Sequence, residues 1–230
     1  MTHRHFEEQL DELRSRLVRM GTLAETMIDR AVQCLHDRST SAHAAIFVDE
    51  EQVNELHIDV DELTVEFIAL QRPVAADLRR VLMGSKIAGE LERIGDQAVN
   101  ICQSTVELLK HPPLKPLHDI RRMSDVARRM LRESLDAFVR QDPVLAQKVL
   151  DTDDEVDAFK DQIFRELLTY MMSEPTTIPR ALSLILISRN LERVGDHATN
   201  IAEEVIYAAQ GRDVRHHNEE RKRGEGEAKP

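Results

Sequence analysis

The chain has 230 residues, with 31 Lys and Arg against 42 Asp and Glu and a formal net charge of −11. It is 41% apolar and 32% charged but only 3% aromatic, with no Trp and eight Gly; this fits an all-α assembly of long helices and lacks the aromatic and turn residues of a sandwich or barrel. The excess of acid, with no Lys/Arg stripe interleaved with aromatics, excludes direct recognition of a nucleic-acid backbone.

Apolar residues recur at helical spacing through Leu10, Leu13, Leu17, Met20, Leu23, Met27, Val32 and Leu35, predicting a first amphipathic helix that ends at Asp37–Ser41. A second helix is expected from about Ser41 to Leu70, stopped by Arg72-Pro73, because proline disfavours α geometry in its predecessor. A third is expected from Pro73 to Leu109, with the proline in its first turn. The segment His111-Pro112-Pro113-Leu114-Lys115-Pro116 cannot continue a helix and reads as the linker. Beyond it Ile120, Met123, Val126, Met130, Leu135 and Phe138 predict a fourth helix, and Asp142-Pro143 reads as the N-cap and first residue of a fifth that runs to Met172. Glu174–Pro179 breaks the chain, and a sixth helix follows from Ile178 to Ala209. The expected organisation is a three-helix unit over 1–111, a linker over 112–116, a second three-helix unit over 117–210 and a disordered polar tail over 211–230.

Cys34 and Cys102 fall inside helical patterns and read as reduced core thiols. The N-terminal residues turn acidic before any apolar region, unlike a secretory signal or transit peptide, so a cytoplasmic location is expected. The apolar run Ala181–Ile187 is far shorter than the roughly 20 residues of a membrane span, so membrane contact is expected only through partners.

The strongest signal is internal. Glu90-Leu-Glu-Arg-Ile-Gly-Asp-Gln-Ala-Val-Asn-Ile101 returns as Asn190-Leu-Glu-Arg-Val-Gly-Asp-His-Ala-Thr-Asn-Ile201, eight of twelve positions matching at an offset of 100. The halves therefore read as internal duplicates. Within each copy, Glu92, Asp96 and Asn100, or Glu192, Asp196 and Asn200, stack at i, i+4 and i+8 along one side of a helix; in the first copy the stripe lies beside Leu91, Ile94, Ala98 and Ile101, which should be buried. Carboxylates one turn apart repel, and a cation would explain them. The second helix carries Glu50 and Asn54 where the fifth carries Asp153 and Asp157, at an offset of 103, so each half can set two polar pairs face to face across a hairpin. Such oxygen donors suit Mg²⁺, Ca²⁺, Mn²⁺ or iron. Zinc is less favoured, since only His57 or His197 could add a nitrogen.

Gly95 and Gly195 each cost a helix roughly 1 kcal/mol relative to alanine; close helix packing and backbone room for an ion or a partner both remain open as the offset. Arg93 and Arg193 read first as neutralising the adjacent acids.

Leu70-Gln-Arg-Pro-Val-Ala-Ala-Asp-Leu-Arg79, both Leu-Glu-Arg-Ile/Val-Gly-Asp segments with their following Asn, and Leu168-Thr-Tyr-Met-Met-Ser-Glu-Pro-Thr-Thr-Ile-Pro179 together resemble the PhoU family of phosphate-transport and phosphate-signalling regulators. The resemblance covers about residues 8–216. It implies two three-helix bundles in pseudo-twofold arrangement, a homodimer, and multinuclear metal clusters held by acidic motifs, with iron, Mn, Mg or Zn as the ions. On that basis the candidate ligands are Glu50, Asn54, Glu92, Asp96 and Asn100, and Asp153, Asp157, Glu192, Asp196 and Asn200. Asn54 stands where such motifs commonly have an acid, so the first site is expected to be the weaker. The resemblance further implies a negative regulator that reports the state of a phosphate ABC transporter, through its ATPase, to a sensor histidine kinase. The rival is a carboxylate-metal hydrolase or oxidase; di-iron bundles use Glu-x-x-His motifs, and no Glu here has His three residues later.

Overall fold

A computed structural model describes residues 2–211. It is all-α: α1 (Thr2–Asp37), α2 (His43–Gln71), α3 (Ala75–Leu109), α4 (His118–Arg140), α5 (Pro143–Ser173), a 3₁₀ turn (Pro175–Thr177) and α6 (Ile178–Gln210). The first three helices pack on one another, as do the last three, and the two bundles join along α3 with α6 and α1 with α4. The expected polar tail lies, beyond Gly211, outside the described residues.

Local chemistry explains most boundaries. The Asp142 carboxylate accepts from the Val144 and Leu145 amides at 2.9 and 3.1 Å, with Pro143 in the first turn, so α5 begins where the sequence predicts. Two starts differ. α1 extends back past Leu10 to Thr2, and Phe6 packs edge-on against Phe67 of α2 at 4.9 Å; this burial recruits a charged segment that carries no apolar period of its own. α3 starts at Ala75 and leaves Pro73 outside, because Arg72 closes α2 in the left-handed region at φ 48° and Val74 is extended.

The duplication reaches the backbone. Arg38 and Gln141, 103 residues apart, take φ of 52° and 53°, and the next amides, Ser39 and Asp142, each reach back to the carbonyls of Cys34 and Ala137 at 2.9 Å. These are matching left-handed helix ends. The core is also doubled and continuous: Met27, Val53, Leu91 and Ile94 in one half and Met130, Val156, Leu191 and Val194 in the other belong to one buried cluster. Cys34 and Cys102 are buried free thiols within the first half, and burial, with Cys34 beside it, pushes Cys102 up to about 11.

Where α1 meets α4 the helices come close enough that a Cβ on Gly21 would clash with Leu135 Cδ1. Ion pairs from Arg128 to Glu25 and Asp29, and from Arg132 to Glu25, flank that contact. The linker is anchored. The Lys115 side chain is 2% exposed and pairs with both Asp119 and Glu166. Burial disfavours its ammonium, but the two carboxylates outweigh that and hold its pKa above the usual lysine value.

Candidate metal centres

The core sets the register of the acids. Val53 of α2 is fully buried and its Cγ1 lies 3.8 Å from where a Cβ on Gly95 of α3 would stand. In the second half Val156 of α5 has the same relation to Gly195 of α6, at 3.5 Å. Each valine sits between its helix's two polar residues and each glycine between its two acids. The contact therefore brings Glu50 and Asn54 level with Glu92 and Asp96, and Asp153 and Asp157 level with Glu192 and Asp196. Met27 and Met130 complete the two glycine surrounds at 3.6 and 3.7 Å; these are ordinary van der Waals distances, so packing against the neighbouring helices does not by itself require glycine at either position.

Electrostatics registers the convergence. In the first half, burial followed by the charge of Asp96 raises the Glu92 carboxyl, Glu50 adds to it, and His57 and Arg93 oppose it. Asp96 is raised by burial and then by Glu50. In the second half Asp196 is pushed up to about 6, by burial first and then by Glu192, Asp153 and Asp157. Each set is thus a group of mutually repelling carboxylates drawn from two helices, with oxygen donors that suit a hard cation.

The side chains are not drawn into a closed shell. Among the described residues no group of three or more His, Cys, Asp or Glu stands in an ion-holding arrangement. In the first half the Asn54 amide donates to Glu50 Oε1 at 2.8 Å. In the second, Lys160 donates to Asp157 Oδ1 at 2.9 Å and to Glu192 Oε1 at 3.0 Å, bridging α5 to α6. The donor chemistry fits a metal ion in both halves, but the second half carries its own competing cation.

The asparagines one turn further on are placed differently. Asn200 donates to Glu90 Oε2 on α3 at 2.9 Å, across the junction of the bundles; Asn100 is half-buried. His197 is engaged at the same place, its Nδ1 lying 2.8 Å from Glu90 Oε2. Burial raises the Glu90 carboxyl, but His197 and Asn200 outweigh it and its pKa falls below the usual range. Arg93 also bonds Glu90, at 2.8 Å, as a neutralising arginine should. One turn away Lys86 pairs with Glu204 of α6 at 2.9 Å. Glu90 and Lys86 were not singled out from the sequence. The available signal was the mismatch of Glu90 with Asn190 inside an otherwise matched segment. His57 lies beside the first acid set, 3.8 Å from Asp61.

Six described helices in two fused three-helix bundles, each presenting a stripe of opposed carboxylates, define a duplicated helical-bundle protein with two acidic centres. The PhoU domain model matches the chain twice, over residues 17–105 and 120–205. A phosphate-specific transport system accessory protein PhoU homolog from Pseudomonas putida is 39% identical over 220 residues, covering 94% of this chain and 86% of the relative. The Escherichia coli accessory protein PhoU is 35% identical over 213 residues, covering 92% and 88%. The crystal structure of PhoU from Pseudomonas aeruginosa superimposes with a TM-score of 0.86 at 37% identity, covering 90% of this chain and 100% of that one. That of PhoU from Streptococcus pneumoniae shares the fold, with a TM-score of 0.84 at 23% identity. The chain belongs to the PhoU family.

Proposed function

We propose that this protein is a regulatory accessory protein of a phosphate-specific transport system, acting by binding rather than by turnover. Its role is to restrain phosphate uptake and the phosphate-starvation response by linking a phosphate ABC transporter, through its ATPase, to a sensor histidine kinase. The observation that carries the reading is family membership across both repeats, since the relatives are named as accessory proteins of that transport system. Long, half-exposed helical faces supply surfaces for such partners, and no described helix is long and apolar enough to cross a membrane. In this reading the protein works in the cytoplasm as a homodimer and meets the membrane through its partners.

The acidic centres are part of the proposal. Glu50, Asn54, Glu92 and Asp96 would hold one divalent or trivalent ion or cluster, and Asp153, Asp157, Glu192 and Asp196 the other, with Asn100 and Asn200 at the edge. A bound ion would supply the positive charge that the crowded carboxylates lack. The chain's own residues hold the α2–α3 and α5–α6 hairpins in register to receive it.

Deletion of the gene tests the regulatory role. A phosphate-starvation reporter should rise in phosphate-rich medium, and affinity capture should recover the transporter ATPase and the kinase; an unchanged reporter sinks the reading. Metal content of the purified chain, against Glu192→Ala/Asp196→Ala, tests the centres. Phosphoester hydrolysis by the metal-loaded protein, lost in that double variant, would replace the adaptor with the hydrolase.

A further inference from the structure

The two halves carry equivalent cavities and fill them differently. In one, the ends of α1 and α3 meet the start of α6 around about 290 Å³, lined by Arg38, Leu108, Leu114, Pro116 and Leu184. The Pro-rich linker roofs it: Arg38 donates to the His111 carbonyl, and Arg180 to the Pro112 carbonyl at 3.4 Å. Shifted by the repeat offsets, the other cavity lies where the end of α4 and the end of α6 meet the start of α3. It measures about 270 Å³ and is lined by Arg79, Arg80, Met83, Phe138, Gln141 and Val205. Gln141 takes the position of Arg38 in the same left-handed backbone, and Arg80 takes that of Arg180. No linker carbonyl among the described residues reaches either of them.

The arginines of this second cavity are underused. Arg79 makes no ion pair among the described residues, and its Nε is buried without a hydrogen-bond partner. Among the described residues Arg80 pairs with Asp77, one turn back, at 3.5 Å, and with no other acid. A buried guanidinium nitrogen without an acceptor is costly and uncommon in a folded chain. The first turn of α3 opens beside it through Ala76, with no side chain capping the helix. Met83, Phe138 and Val205 make the remaining wall apolar. Guanidinium groups bind phosphate and carboxylate oxygens through paired N–H donors, and an apolar wall opposite them favours a ligand with a short apolar body.

We infer that the cavity between the start of α3 and the ends of α4 and α6 binds a small organic oxyanion, a phosphate monoester or a carboxylate, through Arg79, Arg80 and Gln141. The site lies apart from the acidic centres and does not rest on the role proposed for them.

Titration calorimetry on the full chain tests it, using inorganic phosphate, phenyl phosphate and benzoate as probes and benzyl alcohol as the neutral control. Phenyl phosphate should bind more tightly than inorganic phosphate, and benzyl alcohol should not bind. Arg79→Gln and Arg80→Gln should each weaken binding by about tenfold or more, as expected for loss of a charge-assisted contact. Arg180→Gln, at the roofed cavity, should leave it unchanged. Ala209, exposed at the rim, provides a variant that spares the arginines: Ala209→Glu should abolish anion binding while the thermal transition stays in place. Absence of heat with all three anions overturns the inference, and so does binding that survives Arg79→Gln and Ala209→Glu alike. Equal affinity for phenyl phosphate and inorganic phosphate would overturn the assigned apolar body.

Discussion

Lys160 of α5 reaches across to Glu192 of α6 and bonds its Oε1 at 3.0 Å while holding Asp157 at 2.9 Å. The carboxylates raise the lysine pKa against the opposing effect of burial, so the ammonium stays charged throughout the physiological range. It acts as an internal counter-ion to the second acidic centre. The first centre contains no such lysine among the residues that shift its acids.

If the second centre takes up the proposed ion, Lys160→Gln should tighten that binding by about tenfold, since it removes a competing charge from beside the ion, and it should lower the stability of the metal-free chain. Calorimetric titration with Mn²⁺ alongside thermal melts reads both. Unchanged affinity would mean that Lys160 and the ion do not compete.

Asp196 links the same centre to pH. Its folded-state pKa of about 6 lies above the ordinary value of 3.8, so the folded chain retains a proton that the unfolded chain has lost. Stability falls as pH rises through that window, and the cost is fully present above about pH 6. Asp196→Asn should raise the melting transition at about pH 8, by of order 1 kcal/mol after allowance for screening at its open edge, and change little at about pH 4. Saturating metal should erase or reverse the gain at high pH, since it uses the carboxylate that the variant lacks.

The helix glycines make a paired prediction. A Cβ on Gly95 would meet Met27 Cε at 3.6 Å, ordinary contact, so Gly95→Ala should stabilise the chain by roughly 0.5–1 kcal/mol through helix propensity. A Cβ on Gly84 would lie 2.6 Å from Leu13 Cδ2, and Leu13 is buried in the core. Gly84→Ala should cost roughly 1–3 kcal/mol from overpacking. Denaturant melts of both variants check the contrast.

Lys115 should prove to be a structural anchor. Lys115→Met removes the shared partner of Asp119 and Glu166 and leaves Asp119, whose side chain is 12% exposed, without its cation. A loss on the order of 3 kcal/mol is expected. The double variant Lys115→Met/Asp119→Leu should recover part of it, which chemical denaturation can measure.

The hydrophobic period, the prolines and the duplicated Leu-Glu-Arg-x-Gly-Asp segment were enough to read six helices, their grouping into repeats and the acidic stripes, because helix register and chain breaks are local properties. The start of α1 was not readable, since its first residues carry no apolar period and Phe6 meets its partner, Phe67, on a different helix. Which polar groups pair was likewise decided in three dimensions. Asn200 and His197 turn to Glu90 across the bundle junction, and Lys160 answers the acids of α6 from α5. The underused arginines became visible only where α3, α4 and α6 converge. One strand of sequence carries each helix's own pattern, whereas the charge that a side chain meets from a neighbouring helix depends on packing between segments far apart in the chain.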